Sequence, residues 1–238
     1  MQNNVESKNL RILAIGDCNT AGAKETADNL NVPQQFARLL ENHGFECSIQ
    51  NLGYTMSTSR EGLCRSNLEA EPCDILLLNF GLVDAWITSL PMLYISYYPD
   101  NPFKKFLRKM LKSLKKRLRG ETTRKIIPVG HVVPLAEFRS NIETIISRVT
   151  ALSANTTIIL WGTVPVEGDE QRNNDLESYD QTLSDIAKSQ GYFLDTAAIL
   201  KGKSTRKLYQ DAVHLSVEGS LFIAEQLLKV TPIEKLKH

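Results

Sequence analysis

The stretch Asp74-Ile-Leu-Leu-Leu-Asn-Phe80, followed at once by Gly81-Leu-Val-Asp84, decides the fold. Its centre is apolar without interruption or alternation, so both of its faces must be covered, as in an inner strand of a parallel sheet with helices on each side. Toward the N-terminus, Arg11 to Ile15 reads as a first strand and Phe45 to Leu52 as a second. The helix between them opens at Pro33 and is ended by Gly44. Ser59 to Leu68 is a short helix. Toward the C-terminus, Phe138, Ile142, Ile145, Ile146 and Val149 give Glu137 to Leu152 a helical spacing. Thr156 to Trp161 is a fourth strand, Leu176 to Ser189 a helix, and Tyr192 to Leu194 a fifth strand. A last helix from Val217 to Val230 is capped by Ser216. Strands alternating with helices predict an α/β fold with a five-stranded parallel sheet.

At 238 residues, with 42% hydrophobic and 23% charged content, the chain has the composition of one globular domain spanning 1–238. It contains no run of ~20 apolar residues such as a membrane span requires, and MQNNVESKN lacks the apolar centre of a signal peptide, so the cytoplasm is the expected location. Cys18, Cys47, Cys64 and Cys73 never form CxxC, which argues against a zinc knuckle or a dithiol redox motif and for reduced thiols. No metal or cofactor is expected. Gly16-Asp-Cys-Asn-Thr-Ala-Gly22 does not fit GxGxxG and no GK[ST] occurs, so neither dinucleotide nor triphosphate binding has a motif behind it.

Reactive groups in an open parallel sheet gather where the carboxyl ends of strands meet the following loops. Three such ends are Gly16-Asp17-Cys18, Asn51-Leu52-Gly53 and Gly81-Leu82-Val83-Asp84. A fourth segment, Asp211-Ala-Val-His214-Leu-Ser-Val-Glu-Gly219, precedes the last helix. Cys18 alone could be a small buried thiol. With these partners it is a candidate nucleophile, His214 the candidate base and Asp211 the candidate group that fixes the imidazole's tautomer. Backbone amides at Cys18 and Gly53 are candidate donors to a developing oxyanion. Asp17 reads as fixing its turn and Asp84 as holding the loop after the third strand, both near enough to touch a ligand.

These four segments resemble the blocks of the SGNH, or GDSL-like, hydrolase and acyltransferase superfamily, and DAVHLSVEG, with its DxxHLSxxG spacing, is the most specific match. The resemblance covers most of the chain. It implies a flavodoxin-like three-layer α/β/α sandwich of strand order 2-1-3-4-5, with Cys18 in the nucleophile's place, Gly53 in an oxyanion donor's, Asp211 in the orienting acid's and His214 in the base's. Two departures stand out. Cys18 replaces the usual serine, and Val83 occupies the place of an asparagine whose side chain donates to the oxyanion. Losing one such donor costs ~10²–10³ in rate. Asn79 and Thr88 are the nearest polar groups that could fill the gap, so the candidate oxyanion and substrate-binding set is Gly53, Asp17, Asp84 and Asn79. A thiol beside an imidazolium can have its pKa drawn down, which would favour acyl-enzyme formation.

The sequence 87–133 is an insertion after the third strand. Nine Lys or Arg and no acid lie between Lys104 and Arg119, although the whole chain carries only +1, so the remainder is acidic. Phe103, Phe106, Leu107, Met110, Leu111, Leu114 and Leu118 fall at helical spacing among them, which makes a basic amphipathic helix. Its apolar stripe either packs over the sheet's rim or against a second subunit, or segment 103–119 attaches the protein to an anionic membrane at its inner face. Nucleic acid is not expected, because interleaved stacking aromatics are missing. Met92 to Tyr98 reads as part of a substrate-facing or lipid-facing lid.

Two functions follow. One is an enzyme that hydrolyses or transfers an acyl group, an acetyl ester of a carbohydrate above all, through a Cys-His-Asp triad. The other is a weakly active or inactive protein of the same fold that binds glycan or assists assembly in bacterial surface-polysaccharide synthesis, a setting that the GxVD form and its basic insertion resemble.

Overall fold

The computed structural model describes residues 8–22, 30–117, 128–203 and 205–237. Among them the strands are β1 (Lys8–Gly16), β2 (Phe45–Gly53), β3 (Ile75–Asn79), β4 (Ile87–Ser89), β5 (Val129–His131), β6 (Thr157–Trp161) and β7 (Tyr192–Leu194). Five of them form a parallel sheet in the order β2-β1-β3-β6-β7, the order foreseen for the five sheet strands. The helices are α1 (Cys18–Ala21), α2 (Val32–Glu41), α3 (Ser59–Leu68), α4 (Pro102–Arg117), α5 (Leu135–Leu152), α6 (Glu170–Gln190), α7 (Thr196–Leu200), α8 (Thr205–Leu208), α9 (Val217–Val230) and α10 (Ile233–Leu236).

Side chains of successive strand residues point to opposite faces, and β3 shows why its apolar run is unbroken. Leu76 and Leu78 join a core with Phe138, Ile142 and Ile145 of α5 and Leu183 of α6. Ile75 and Leu77 join a second core, on the other side of the sheet, with Phe36 and Leu40 of α2 and Ile223 and Leu227 of α9. All four strand residues are fully buried.

Besides the short helices α7, α8 and α10 and an earlier start of β1 at Lys8, the structure differs from the sequence reading in three places. Helix α6 begins at Glu170, not near Leu176, because Asp169 caps it by accepting the Arg172 N–H at 3.0 Å; its polar first turns carry no apolar periodicity to announce them. The insertion is closed at its base by an unforeseen antiparallel pair, with Ile87 opposite His131 and Ser89 opposite Val129. Cys64, which its place at a helix edge predicts to be a packing residue, is exposed on α3. Leu118 and Arg119 of the expected basic helix lie outside the described residues.

Candidate active site

The turn after β1 is pinned at both ends. Asp17 donates its N–H to the Asn79 carbonyl at the end of β3 (3.2 Å), and its carboxylate caps α1 by accepting the Asn19 N–H at 2.9 Å. Cys18 is therefore the first residue of α1, at the carboxyl edge of the sheet, and only 8% of it is exposed.

The second segment is just as constrained. Asp211 Oδ1 accepts the N–H groups of Val213 and His214, each at 2.9 Å, while Oδ2 lies 2.7 Å from His214 Nδ1. An Nδ1–H given to this carboxylate leaves Nε2 as the basic nitrogen. Burial pulls the Asp211 carboxyl up, but the hydrogen bonds from His214 and the two backbone groups prevail and hold it below the usual carboxylate range. The segment is joined to α1 by Asn19, whose Nδ2 donates to the Val213 carbonyl and whose Oδ1 accepts the Leu215 N–H, both at 3.1 Å. The residue next to Cys18 thus grips the backbone on either side of His214.

Four expectations are corrected by the hydrogen bonds. Gly53 gives its N–H to Asn51 Oδ1 at 2.8 Å, so that amide is spent locally. Glycine is needed there because a Cβ would run into Ala21 N and stand 2.7 Å from the Thr20 carbonyl carbon. Asn79 turns its amide inward, donating to the carbonyls of Trp161 (2.9 Å) and Gly162 (3.0 Å), so it fastens β3 to β6 and has no donor left for substrate. Asp84 is fully buried and accepts the Ser59 N–H at 2.8 Å, which anchors the N-terminus of α3. Thr88 sits on β4, where it accepts Lys115 Nζ. None of these replaces a donor at Val83, itself buried.

Electrostatics around Cys18 also run against the expected activation. Burial, then the charge of Asp17, push the thiol well above its ordinary pKa, and Asp211 adds to the effect. No hydrogen bond joins Cys18 Sγ to His214. Burial likewise raises the Asp17 carboxyl to about 7, with Asp84 adding to the rise and His214 opposing it. Arg172 of α6 is a half-buried cation whose pKa burial holds below its ordinary value. It senses the Cys18 charge, donates Nη2 to the Leu82 carbonyl at 3.1 Å, and lies 5.6 Å from the centre of the Trp86 ring. Its Nε is buried without a partner among the described residues.

A profile of the GDSL-like lipase/acylhydrolase family matches residues 14–221. The chain belongs to this family. Among solved structures, this GDSL-like chain is similar to an acetylxylan esterase from Geobacillus stearothermophilus, with a TM-score of 0.63 at 21% identity over 94% of each chain. It is similar also to the lipase/acylhydrolase from Enterococcus faecalis, with a TM-score of 0.61 at 20% identity over 92% of this chain and 94% of that one. The acetylxylan esterase has been solved as catalytic mutants at a serine, at an aspartate and at a histidine three positions beyond that aspartate. No curated protein sequence matches the chain.

Within this GDSL-like chain, two residues of the cluster escaped the sequence reading. Asn19 lies in the middle of GDCNTAG, and nothing local shows that its partners are about two hundred positions away. Arg172 lies in the polar opening of α6, where only the N-cap pattern at Asp169 could have extended the helix far enough to bring it in.

Proposed function

We propose that this GDSL-like protein cleaves or transfers an acyl group, an acetyl ester of a carbohydrate above all, with Cys18 as nucleophile, His214 as proton carrier and Asp211 as its orienting partner. The observation that carries the reading is the Asp211–His214 pair at 2.7 Å, clamped through Asn19 to the turn that bears Cys18. The acetylxylan esterase of similar fold supports a carbohydrate ester as substrate.

Because burial and carboxylates keep the Cys18 thiol protonated, attack proceeds as it would for serine, with the proton leaving as the bond forms. His214 Nε2 takes the thiol proton while Sγ bonds to the ester carbonyl carbon. Collapse breaks the ester C–O bond, and the imidazolium returns that proton to the departing alcohol. Water or a second hydroxyl then attacks the thioester, giving its proton to His214, which passes it back to Sγ as the acid or new ester leaves. Asp211 stabilises the imidazolium in both halves. Catalytic hydrogen bonds commonly tighten only around bound substrate, which accommodates a Sγ and imidazole that are not yet bonded. Arg172 opposes the negative charge that grows on sulfur and oxygen, in partial compensation for Val83. A cytoplasmic setting suits this reading, since Cys18 and the other three cysteines are free thiols and a reducing compartment keeps them so.

Intact protein treated with an activated acetyl ester should acquire one acetyl group on Cys18, located by peptide mass spectrometry. Hydroxylamine should release it, and Cys18→Ala should not acquire it. Acetylation that persists in Cys18→Ala would overturn the proposal.

A second reading, a weakly active relative that binds glycan during surface-polysaccharide assembly, is favoured by the protonated thiol and by Val83. It expects Cys18→Ala to leave polysaccharide output unchanged, where the first reading expects loss.

A further inference from the structure

The insertion carries an apolar surface that is left exposed among the described residues. No residue of α4 is buried. Phe103, Phe106, Met110 and Leu114 recur every three or four residues and so share one stripe of the helix. With Met92 and Leu93 from the turn before it, they are between 44% and 82% exposed. Met92, Leu93, Met110 and Leu114 also line an open groove of about 700 Å³. Isolated exposed apolar residues need no explanation, but six gathered on one insertion mark an interaction site.

The charge beside that stripe selects the partner. Half of the sixteen residues of α4 are Lys or Arg, and none is acidic. Some of the cations serve the fold: Lys105 and Arg108 pair with Asp100, and Lys104 and Lys115 donate to the Tyr98 carbonyl and to Thr88. Lys109, Lys112, Lys116 and Arg117 have no ion pair or hydrogen bond among the described residues. A second copy of this chain paired through the same face would set these cations against their own kind, and a polyphosphate chain would leave the apolar stripe in water. A bilayer with anionic headgroups satisfies both strips at once, taking the apolar residues at the acyl boundary and the cations among the phosphates.

We infer that α4, with Met92 and Leu93, docks the protein onto an anionic lipid surface. None of the helices is long and apolar enough to cross a membrane among the described residues, so the contact is one of lying on the surface. The insertion is tied to the body beside the candidate site, since Tyr94 O–H donates to the Met56 carbonyl at 3.0 Å on the loop after β2. Docking therefore brings the carboxyl edge of the sheet near the headgroups, where esters on membrane-held glycans would be met. That last consequence rests on the proposed function; the docking itself does not.

Sedimentation of the full-length protein with vesicles tests this. Vesicles of phosphatidylcholine mixed with phosphatidylglycerol should bind at least tenfold more protein than phosphatidylcholine alone, and high salt should weaken the binding. Phe106→Ser/Met110→Ser/Leu114→Ser and Lys109→Gln/Lys112→Gln/Lys116→Gln should each lose tenfold or more while melting as the parent does, because the changed residues are exposed. Cys18→Ala should bind like the parent, which separates failure of docking from failure of the catalytic reading. Equal binding to both vesicle types, or unaltered binding by both triple variants, would overturn the inference. So would a dimer in lipid-free solution that the triple serine variant converts to monomer.

Discussion

Asn19 Oδ1 accepts the N–H of Leu215 at 3.1 Å, across 196 positions of sequence. With its second bond to Val213, this side chain fixes where the His214 loop stands relative to Cys18. Asn19→Ala should therefore act on both stability and turnover. The buried Leu215 N–H would lose its partner, at a cost of about 1–3 kcal/mol, measurable by urea denaturation. A loop displaced by an ångström should lower kcat on the order of 10²-fold with KM little changed. Full turnover in a destabilised Asn19→Ala would show that the clamp serves folding alone.

Gly53 yields a prediction that separates space from chemistry. Alanine there must displace the backbone of α1, which has no flexible end to yield, and such overpacking costs about 1–3 kcal/mol. Cys18 would move with α1, so reaction with an activated acyl ester should fall together with the melting temperature. Gly44→Ala is the control. It meets no atom within 4 Å but has φ +88, so it should cost stability and leave Cys18 reactivity intact. Equal reactivity in the two variants would refute the steric account of Gly53.

What could be read in the sequence and what could not divide along the range of the interactions. The sheet was legible because its central strand records two-sided burial in the unbroken run Ile75 to Leu78, and the Asp211–His214 pair because both residues sit in one turn. Side-chain destinations were not. Asn79 and Asp84 stand where a polar group facing substrate would stand. Yet one spans to Trp161 and the other to Ser59, and only the folded chain shows that their bonding capacity goes into holding elements together. The same holds for the thiol. Proximity to a histidine suggested an acidic Cys18, whereas the local balance of burial and carboxylates, set by residues from distant segments, points the other way.

The buried carboxyl of Asp84 makes a pH prediction. Burial, its largest cause, raises the group to about 7 from 3.8. A raised value in the folded state means that the native protein holds this proton more tightly, so the group's contribution is fully present below about pH 4 and is lost as pH rises through 7. Asp84→Asn keeps an oxygen for Ser59 N–H and stays neutral throughout. Relative to the parent, its melting temperature should rise between pH 5 and pH 8, by about 2–4 °C for each kcal/mol recovered. A difference between the two proteins that does not vary with pH would count against the shift.

Arg172 is coupled to the Cys18 charge, and its removal should make a poor thiolate poorer. Arg172→Met preserves much of the side chain's bulk over Trp86 while deleting the charge, so the pH at which Cys18 becomes reactive should climb. Alkylation by iodoacetamide at mildly alkaline pH should slow several-fold, because a nearby positive charge favours the thiolate. Arg172→Lys should recover part of that rate, because charge survives while the donor fork to Leu82 does not. If the residue also opposes charge on the acyl oxygen, kcat for ester cleavage should fall further than alkylation does, since only the acyl reaction develops an oxyanion. An alkylation profile that Arg172→Met leaves unchanged, with kcat intact, would confine Arg172 to bracing the Leu82 carbonyl.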